Sequence, residues 1–152
     1  MTQTCNPQRR ALFAGSFDPF TIGHASIVER ALSLFDTVVV AVGVNAAKSS
    51  DTSAEERVAA IRRLYPQERV EVVAYQGELT VDLARRLGCS HLLRGVRSVA
   101  DFEYERNIAD VNRRISGIDT VLLFALPEHA AISSSVVREL KSYNHDISSF
   151  IP

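Results

Sequence analysis

The run Thr37-Val38-Val39-Val40-Ala41-Val42-Gly43-Val44 is apolar at nearly every position and rich in β-branched side chains, with no alternation that would give it a wet face. A strand of that kind is stable when both faces are covered, as in a parallel sheet flanked by helices. It is expected to form the middle of such a sheet. Ala11–Ala14, Val70–Tyr75, His91–Leu93 and Thr120–Leu126 read as further strands, the last also buried, and amphipathic segments separate them. The first helix sets Ile27, Val28, Ala31, Leu32 and Phe35 on one face, with Glu29 and Arg30 opposite. Ser53 and Glu56 make a capping box for a second helix through Leu64, and Glu78–Leu87 is a third, ended by Gly88. A long helix over Ala100–Ile115 carries Tyr104, Ile108, Val111 and Ile115 as its apolar stripe, and a last one runs from about Ser134 to Lys141. With no repeat, low-complexity segment or linker, the alternation predicts one α/β domain over residues 1–152. It is a doubly wound, Rossmann-like domain with a five-stranded parallel sheet, preceded by a flexible tail over residues 1–10.

At 152 residues the chain can bury an ordinary core. Its 46% hydrophobic and 23% charged content excludes the disordered and membrane classes. The net charge of −1 gives no field that would draw in nucleic acid, so a bound anion must be held by local arginines and lysines. No run approaches the roughly 20 apolar residues of a membrane span, and Met1–Gln8 lacks the apolar segment of a signal peptide. A cytoplasmic location without a membrane partner is expected. Cys5 and Cys89 are too few for a disulfide scaffold, and His24, His91, His129 and His145 show no ligand spacing, so no metal site built from protein side chains is expected.

In a doubly wound sheet, ligands bind beyond the carboxyl ends of the strands, where the strand order reverses. The polar residues that could do chemistry fall there: Ser16 and His24 after the first strand, Lys48 after the second, Gly77 to Thr80 after the third, Arg94 to Arg97 after the fourth and Ser133 to Ser135 after the fifth. The stretch from Gly15 to His24 reads as strand, tight loop and helix start. Free amides at the positive end of a helix dipole make such a corner an anion site. Thr21 is placed to cap, Gly23 has no side chain to hold a phosphate away, and His24 sits in the first turn facing the loop. Arg94-Gly95-Val96-Arg97 offers two planar guanidinium forks suited to phosphate oxygens, and Ser133-Ser134-Ser135 sets hydroxyls at a helix start that needs one of them as its cap. Asp101, Glu103 and Glu105 read as a solvated acidic face. One histidine, one lysine, several arginines and helix N-termini, without a nucleophilic cysteine or a serine–histidine–carboxylate set, suit polyphosphate binding and phosphoryl or nucleotidyl transfer. A phosphate-monoester nucleophile is already an anion near neutrality and needs no general base.

Gly15-Ser16-Phe17-Asp18-Pro19 followed by Thr21-Ile22-Gly23-His24 resembles the signature of the nucleotidyltransferase superfamily whose loop reads (T/H)-x-G-H, and Ile132-Ser133-Ser134-Ser135-Val136-Val137-Arg138 resembles its second signature. Leu93-Arg94-Gly95-Val96-Arg97-Ser98-Val99-Ala100-Asp101-Phe102-Glu103-Tyr104-Glu105 is similar to a block of the phosphopantetheine adenylyltransferase family of coenzyme A synthesis. The likeness runs from about Ala11 to Phe150-Ile151-Pro152. It implies that ATP and 4′-phosphopantetheine give dephospho-coenzyme A and pyrophosphate, with Mg2+ and no covalent enzyme intermediate. It further implies that Ser16 contacts both substrates, Phe17 lies along ATP and His24 stabilises the transition state at the α-phosphate. Lys48, Thr80 and Arg94 would hold the phosphopantetheine, Lys48 and Arg94 also counting as catalytic. ATP would be held by Gly95, Val96, Arg97, Glu105, His129, Ala130, Ala131, Ile132, Ser133, Ser134 and Ser135. The family is commonly a homohexamer. Two places depart from its usual pattern: Ser49-Ser50-Asp51-Thr52 follow Lys48 where Lys-Pro and then an aromatic are usual, and His129 stands where Trp or Tyr is usual. A relative with another acceptor, such as nicotinamide mononucleotide or glycerol phosphate, and a non-catalytic nucleotide-binding α/β module are the alternative readings.

Overall fold

Across residues 8–47 and 49–152, which the computed structural model describes, the elements follow in the order β1 (Arg10–Gly15), α1 (Ile22–Ala31), β2 (Thr37–Gly43), α2 (Ala54–Arg62), β3 (Val70–Tyr75), α3 (Thr80–Arg86), β4 (His91–Val96), α4 (Val99–Ser116), β5 (Asp119–Phe124), a 3-10 turn (Pro127–His129) and α5 (Ser134–Ser142). All strand pairs are parallel, and the sheet order is β3-β2-β1-β4-β5. The β-branched run is as dry as its composition requires, since Val38 to Val42 have no exposed surface. It is not the middle strand, however. That place belongs to β1, which pairs with β2 on one side and β4 on the other.

The two faces of the sheet build separate cores. On one, Val38, Val40 and Val42 of β2 pack with Ile27, Val28 and Ala31 of α1 and with Val58 and Ile61 of α2. On the other, Val39 and Ala41 join Leu12 and Ala14 of β1 against Val81, Leu83 and Ala84 of α3. Burial of both strand faces thus comes from helices on both sides, as parallel sheets need.

Four features differ from expectation in ways that matter for function. The fourth strand does not stop at Leu93: Arg94, Gly95 and Val96 stay paired with Leu122, Leu123 and Phe124 of β5, so Arg94 projects from a strand and not from a loop. β5 is an edge strand, half-exposed along most of its length and with Phe124 67% exposed, because no further strand among the described residues flanks it. At the N-terminus, Arg9 donates its amide to the Asp36 carboxylate at 2.8 Å and Arg10 opens β1, so ordered structure begins within the expected tail. The apolar stripe of α4 faces outward: Tyr104, Val111 and Ile115 are exposed, while the one buried residue of that helix is Glu105.

Candidate active site

From β1 the chain winds toward β2 and β3 in one direction, and β4 with β5 lies in the other, so the strand order reverses beside the carboxyl end of β1. Crevices form at such a point. Gly15 ends β1 because Phe17 folds back onto it: a Cβ there would come within 3.0 Å of the Phe17 ring. Phe17 itself holds a left-handed backbone with φ of +48°, a conformation uncommon outside glycine. The loop it begins is pinned by its carbonyls. Arg57 of α2 donates to Ser16 O, Arg138 of α5 donates to Asp18 O at 2.7 Å, and the Ser134 hydroxyl donates to Pro19 O at 2.8 Å. Ser16 is left exposed at the mouth.

The loop enters α1 through a reciprocal cap. Thr21 Oγ1 accepts from the His24 amide at 3.3 Å, and His24 Nδ1 accepts from the Thr21 amide at 3.0 Å. That second bond assigns the imidazole tautomer, because a nitrogen accepting from an amide carries no proton and the hydrogen sits on Nε2. The ring lies among Phe17, Phe20 and Phe13, with centroids 5.0, 5.5 and 6.2 Å away. Burial there, and secondarily the charges of Arg97 and Arg94, push its pKa down to about 4. At neutral pH His24 is therefore an uncharged donor held by its own helix start. One of the amides that the sequence leaves free at this corner is spent, since Ile22 N–H donates to Phe150 O at 2.9 Å.

Arg94 reaches the same place from β4. Its Nε and Nη2 donate to the two carboxylate oxygens of Glu105 at 2.9 and 2.6 Å, and its Nη1 donates to Ala14 O. The acid is 6% exposed, so it is not part of a solvated face. The pair fixes the guanidinium plane and spends three of the five N–H groups that an arginine carries. Arg97, by contrast, turns to Asp101, with Nε at 3.2 Å, and to Ile132 O at 3.4 Å. The three serines before α5 divide their work: Ser133 caps Val136 N–H, Ser134 holds Pro19 O and Ser135 accepts from Arg138.

Two cavities open on this corner. One, about 470 Å³, takes in Ser16, Phe17, His24, Gly95, Val96, Arg97, His129, Ile132 and the three serines. The other, about 630 Å³, extends over the ends of β2 and β3 to Asn45, Tyr75, Thr80, Ile108 and Asn112. Ser16, Arg94, Tyr104 and Glu105 line both, forming the wall between them. Ala130 and Ala131 line neither, and Lys48 lies outside the described residues. Among the described residues no three His, Cys, Asp or Glu side chains converge as a metal cage, and the cleft carboxylates of Glu105 and Asp101 are committed to arginines. Arg57 is the residue that sequence reasoning missed. Its signal was available, because it falls on the buried face of α2 with Ala54, Val58 and Ile61, where a charge needs a reason to be.

A cytidylyltransferase-like family model matches residues 12–140. A phosphopantetheine adenylyltransferase from Bacteroides fragilis is 51% identical over 145 residues, which is 95% of this chain and 96% of the relative. Another, from Porphyromonas gingivalis, is 54% identical over 143 residues, 93% of either chain. Among solved structures, a candidate nicotinate-nucleotide adenylyltransferase from Vibrio parahaemolyticus superposes with a TM-score of 0.59 at 18% identity, covering 95% of this chain and 93% of that one. The lipopolysaccharide core biosynthesis protein from Thermoplasma volcanium does so with the same TM-score at 16% identity, over 78% and 97%. At such identities these two speak for the fold alone.

Proposed function

The chain belongs to the phosphopantetheine adenylyltransferase family of nucleotidyltransferases, and from that premise we propose that it transfers the adenylyl group of ATP to 4′-phosphopantetheine, giving dephospho-coenzyme A and pyrophosphate in coenzyme A biosynthesis. The observation that carries this reading is the pair of cavities meeting at Ser16 and Arg94. Two substrates must meet at one phosphorus atom, and this wall is where they can. The cavity with His24, Arg97 and the starts of α1 and α5 has the equipment for a triphosphate. Its neighbour, with Tyr75, Ile108 and Asn112, has apolar wall and amide groups for a long, amide-bearing acceptor.

In the reaction a phosphate oxygen of the acceptor attacks the α-phosphorus in line. A new P–O bond forms, the bond from the α-phosphorus to the bridging oxygen breaks, and pyrophosphate leaves with that oxygen. Charge grows on the α-phosphate oxygens as the phosphorus gains its fifth ligand, and a preorganised donor aimed there acts most strongly at that moment. His24 is that donor, through Nε2–H. Arg94, fixed by Glu105, orients the acceptor phosphate with its unspent N–H groups, Thr80 lines the same cavity, and Lys48 is given to the same phosphate by the family resemblance alone. Magnesium enters as part of the nucleotide substrate, carried by the triphosphate.

Self-association fits the same reading, because Val99, Tyr104, Val111 and Ile115 of α4 and Phe124 of β5 leave an apolar surface uncovered in the single chain. A hexamer would bury it. No helix among the described residues is long and apolar enough to cross a membrane, in keeping with a cytoplasmic enzyme. The test is pyrophosphate release from ATP and magnesium with a panel of acceptors. Release is expected with 4′-phosphopantetheine and not with nicotinamide mononucleotide or glycerol phosphate. Equal or faster release with either of those would overturn the acceptor assignment, and no release with any would favour a binding module.

A further inference from the structure

A third cavity, about 350 Å³, lies apart from the two that meet at Ser16. Residues 17–20 of the active-site loop bound it on one side, with α2, α5 and Ile147, Ile151 and Pro152 around the rest. It shares Phe17 and Arg138 with the cavity of His24 and no residue with the larger cavity over β2 and β3. Phe20, Ile61, Leu64 and Val137 join the two isoleucines in a largely apolar wall. Its size falls at the lower end of the range for small-molecule sites, about 300–1,000 Å³.

Arg57 sets the chemistry of this cavity. Among the described residues two charged side chains are buried, Glu105 at 6% exposed and Arg57 at 9%. Glu105 has its counter-charge in Arg94. Arg57 has none: its Nη1 donates to Ser16 O, and its Nε, shut off from solvent, finds no partner among the described residues. In Arg94 the edge formed by Nε and Nη2 is the one that grips a carboxylate, and the corresponding edge of Arg57 holds no acid. Of the acidic side chains lining the cavity, Asp18 accepts from the Ser50 and Thr52 hydroxyls at 2.6 and 3.3 Å, Glu56 accepts from the Ser53 amide, and Asp51 is exposed. None of the three pairs with Arg57. Arg63, Arg138 and Lys141 add positive charge around it. A buried cation without a counter-ion is destabilising, and a carboxylate brought to it restores the pair.

We infer that this cavity is a second ligand site, for a small amphipathic monocarboxylic acid whose carboxylate takes the Nε and Nη2 edge of Arg57 and whose apolar body lies on Phe20, Ile61 and Val137. Charge and shape select that class together. A neutral molecule with the same body leaves Arg57 unpaired, and an anion without a body leaves the apolar wall in water. The occupant also bears on the active-site loop, because Arg57 holds Ser16 O and Arg138 holds Asp18 O. A ligand that binds the folded chain alone raises its stability, so occupancy steadies the loop and the domain with it.

The test is isothermal calorimetry of the full chain with octanoate, 1-octanol and acetate, beside thermal melts at rising octanoate. Octanoate is expected to bind at least about tenfold more tightly than either of the others, as hydrogen bonds between charged groups allow, and to raise the melting temperature with concentration. Arg57→Lys keeps the charge but loses the planar fork, and should weaken octanoate by about fivefold or more. Ala60→Trp fills the cavity from an exposed position on α2. It should block octanoate while pyrophosphate release holds, since Ala60 lines neither of the other cavities. Saturating ATP or 4′-phosphopantetheine should not displace octanoate. Octanoate that binds no better than 1-octanol, binding that survives Ala60→Trp unchanged, or displacement by either substrate would each overturn the site. Binding is the readout, so a wild-type protein that releases no pyrophosphate would defeat the proposed reaction and leave this test intact.

Discussion

Replacing Glu105 by glutamine tests what this acid does, because the family resemblance gives it to ATP while the structure gives both of its carboxylate oxygens to Arg94. The substitution keeps the shape but puts an NH2 where one oxygen accepted, so one of the two Arg94 bonds becomes donor against donor. Hydrogen bonds to charged groups are worth about 1.5–3 kcal/mol each, and breaking a buried ion pair costs about 3–5 kcal/mol. The acid is 6% exposed but the Arg94 side chain is 37% exposed, so solvent screens part of the loss. A global destabilisation of about 2 kcal/mol is a reasonable mean between the exposed and buried limits. The larger effect is on orientation: a guanidinium no longer held in plane should raise the KM for 4′-phosphopantetheine by about ten- to thirtyfold, roughly 1.4–2 kcal/mol of binding. ATP affinity should move only a few-fold. Initial-rate pyrophosphate release at varied concentrations of each substrate, with a thermal melt of the same preparation, gives all three quantities. If ATP affinity falls more than acceptor affinity, Glu105 touches the nucleotide and the positioning role is refuted.

The titration of His24 should follow its surroundings. Because its folded pKa lies near 4, below the ordinary 6.5, the unfolded chain takes up the proton first as pH falls, so this group's contribution to stability is intact above about 6.5 and is lost on the way down to about 4. An NMR titration of the His24 ring should show a midpoint near 4, and a midpoint near 6.5 would contradict the desolvation by Phe13, Phe17 and Phe20. Val111, 59% exposed in the single chain, should tolerate Val111→Asp without loss of the melting transition measured for the monomer, while sedimentation shows the assembly dissociating. An unchanged mass above that of the monomer would place the proposed interface elsewhere than on α4, and wild-type protein that sediments as a monomer would refute the proposed self-association.

Much of the fold is legible in the chain because local signals agree with one another. Val70–Tyr75 is rich in valine and bounded by the polar Arg69 and Gln76, and it is the third strand with those limits. Ser53 and Glu56 form the expected capping box, with the Ser53 amide donating to Glu56 at 2.8 Å. Position within the sheet is another matter. β2 and β1 are equally dry, and only the crossing direction, which no local pattern encodes, makes β1 central. The site divides the same way. Thr21 and His24 were readable because their cap is local, at a spacing of three. Glu105 was not, because its partner lies on a strand, and an acid between exposed neighbours on a helix looks solvated until that strand is placed against it. The stripe from Tyr104 to Ile115 has a core helix's period yet faces out; periodicity marks an apolar face without saying which molecule covers it.

The central claim is that a neutral His24, held by Thr21, supplies a hydrogen bond made chiefly in the transition state. Measuring kcat and the ATP Kd for His24→Ala on one preparation, with its melting temperature as control, tests it most directly. Loss of one preorganised donor predicts kcat lower by about two to three orders of magnitude, with the ATP Kd shifted only a few-fold. A melting temperature that drops while the folded protein turns over at a near-normal rate would contradict the claim and reduce His24 to a helix cap.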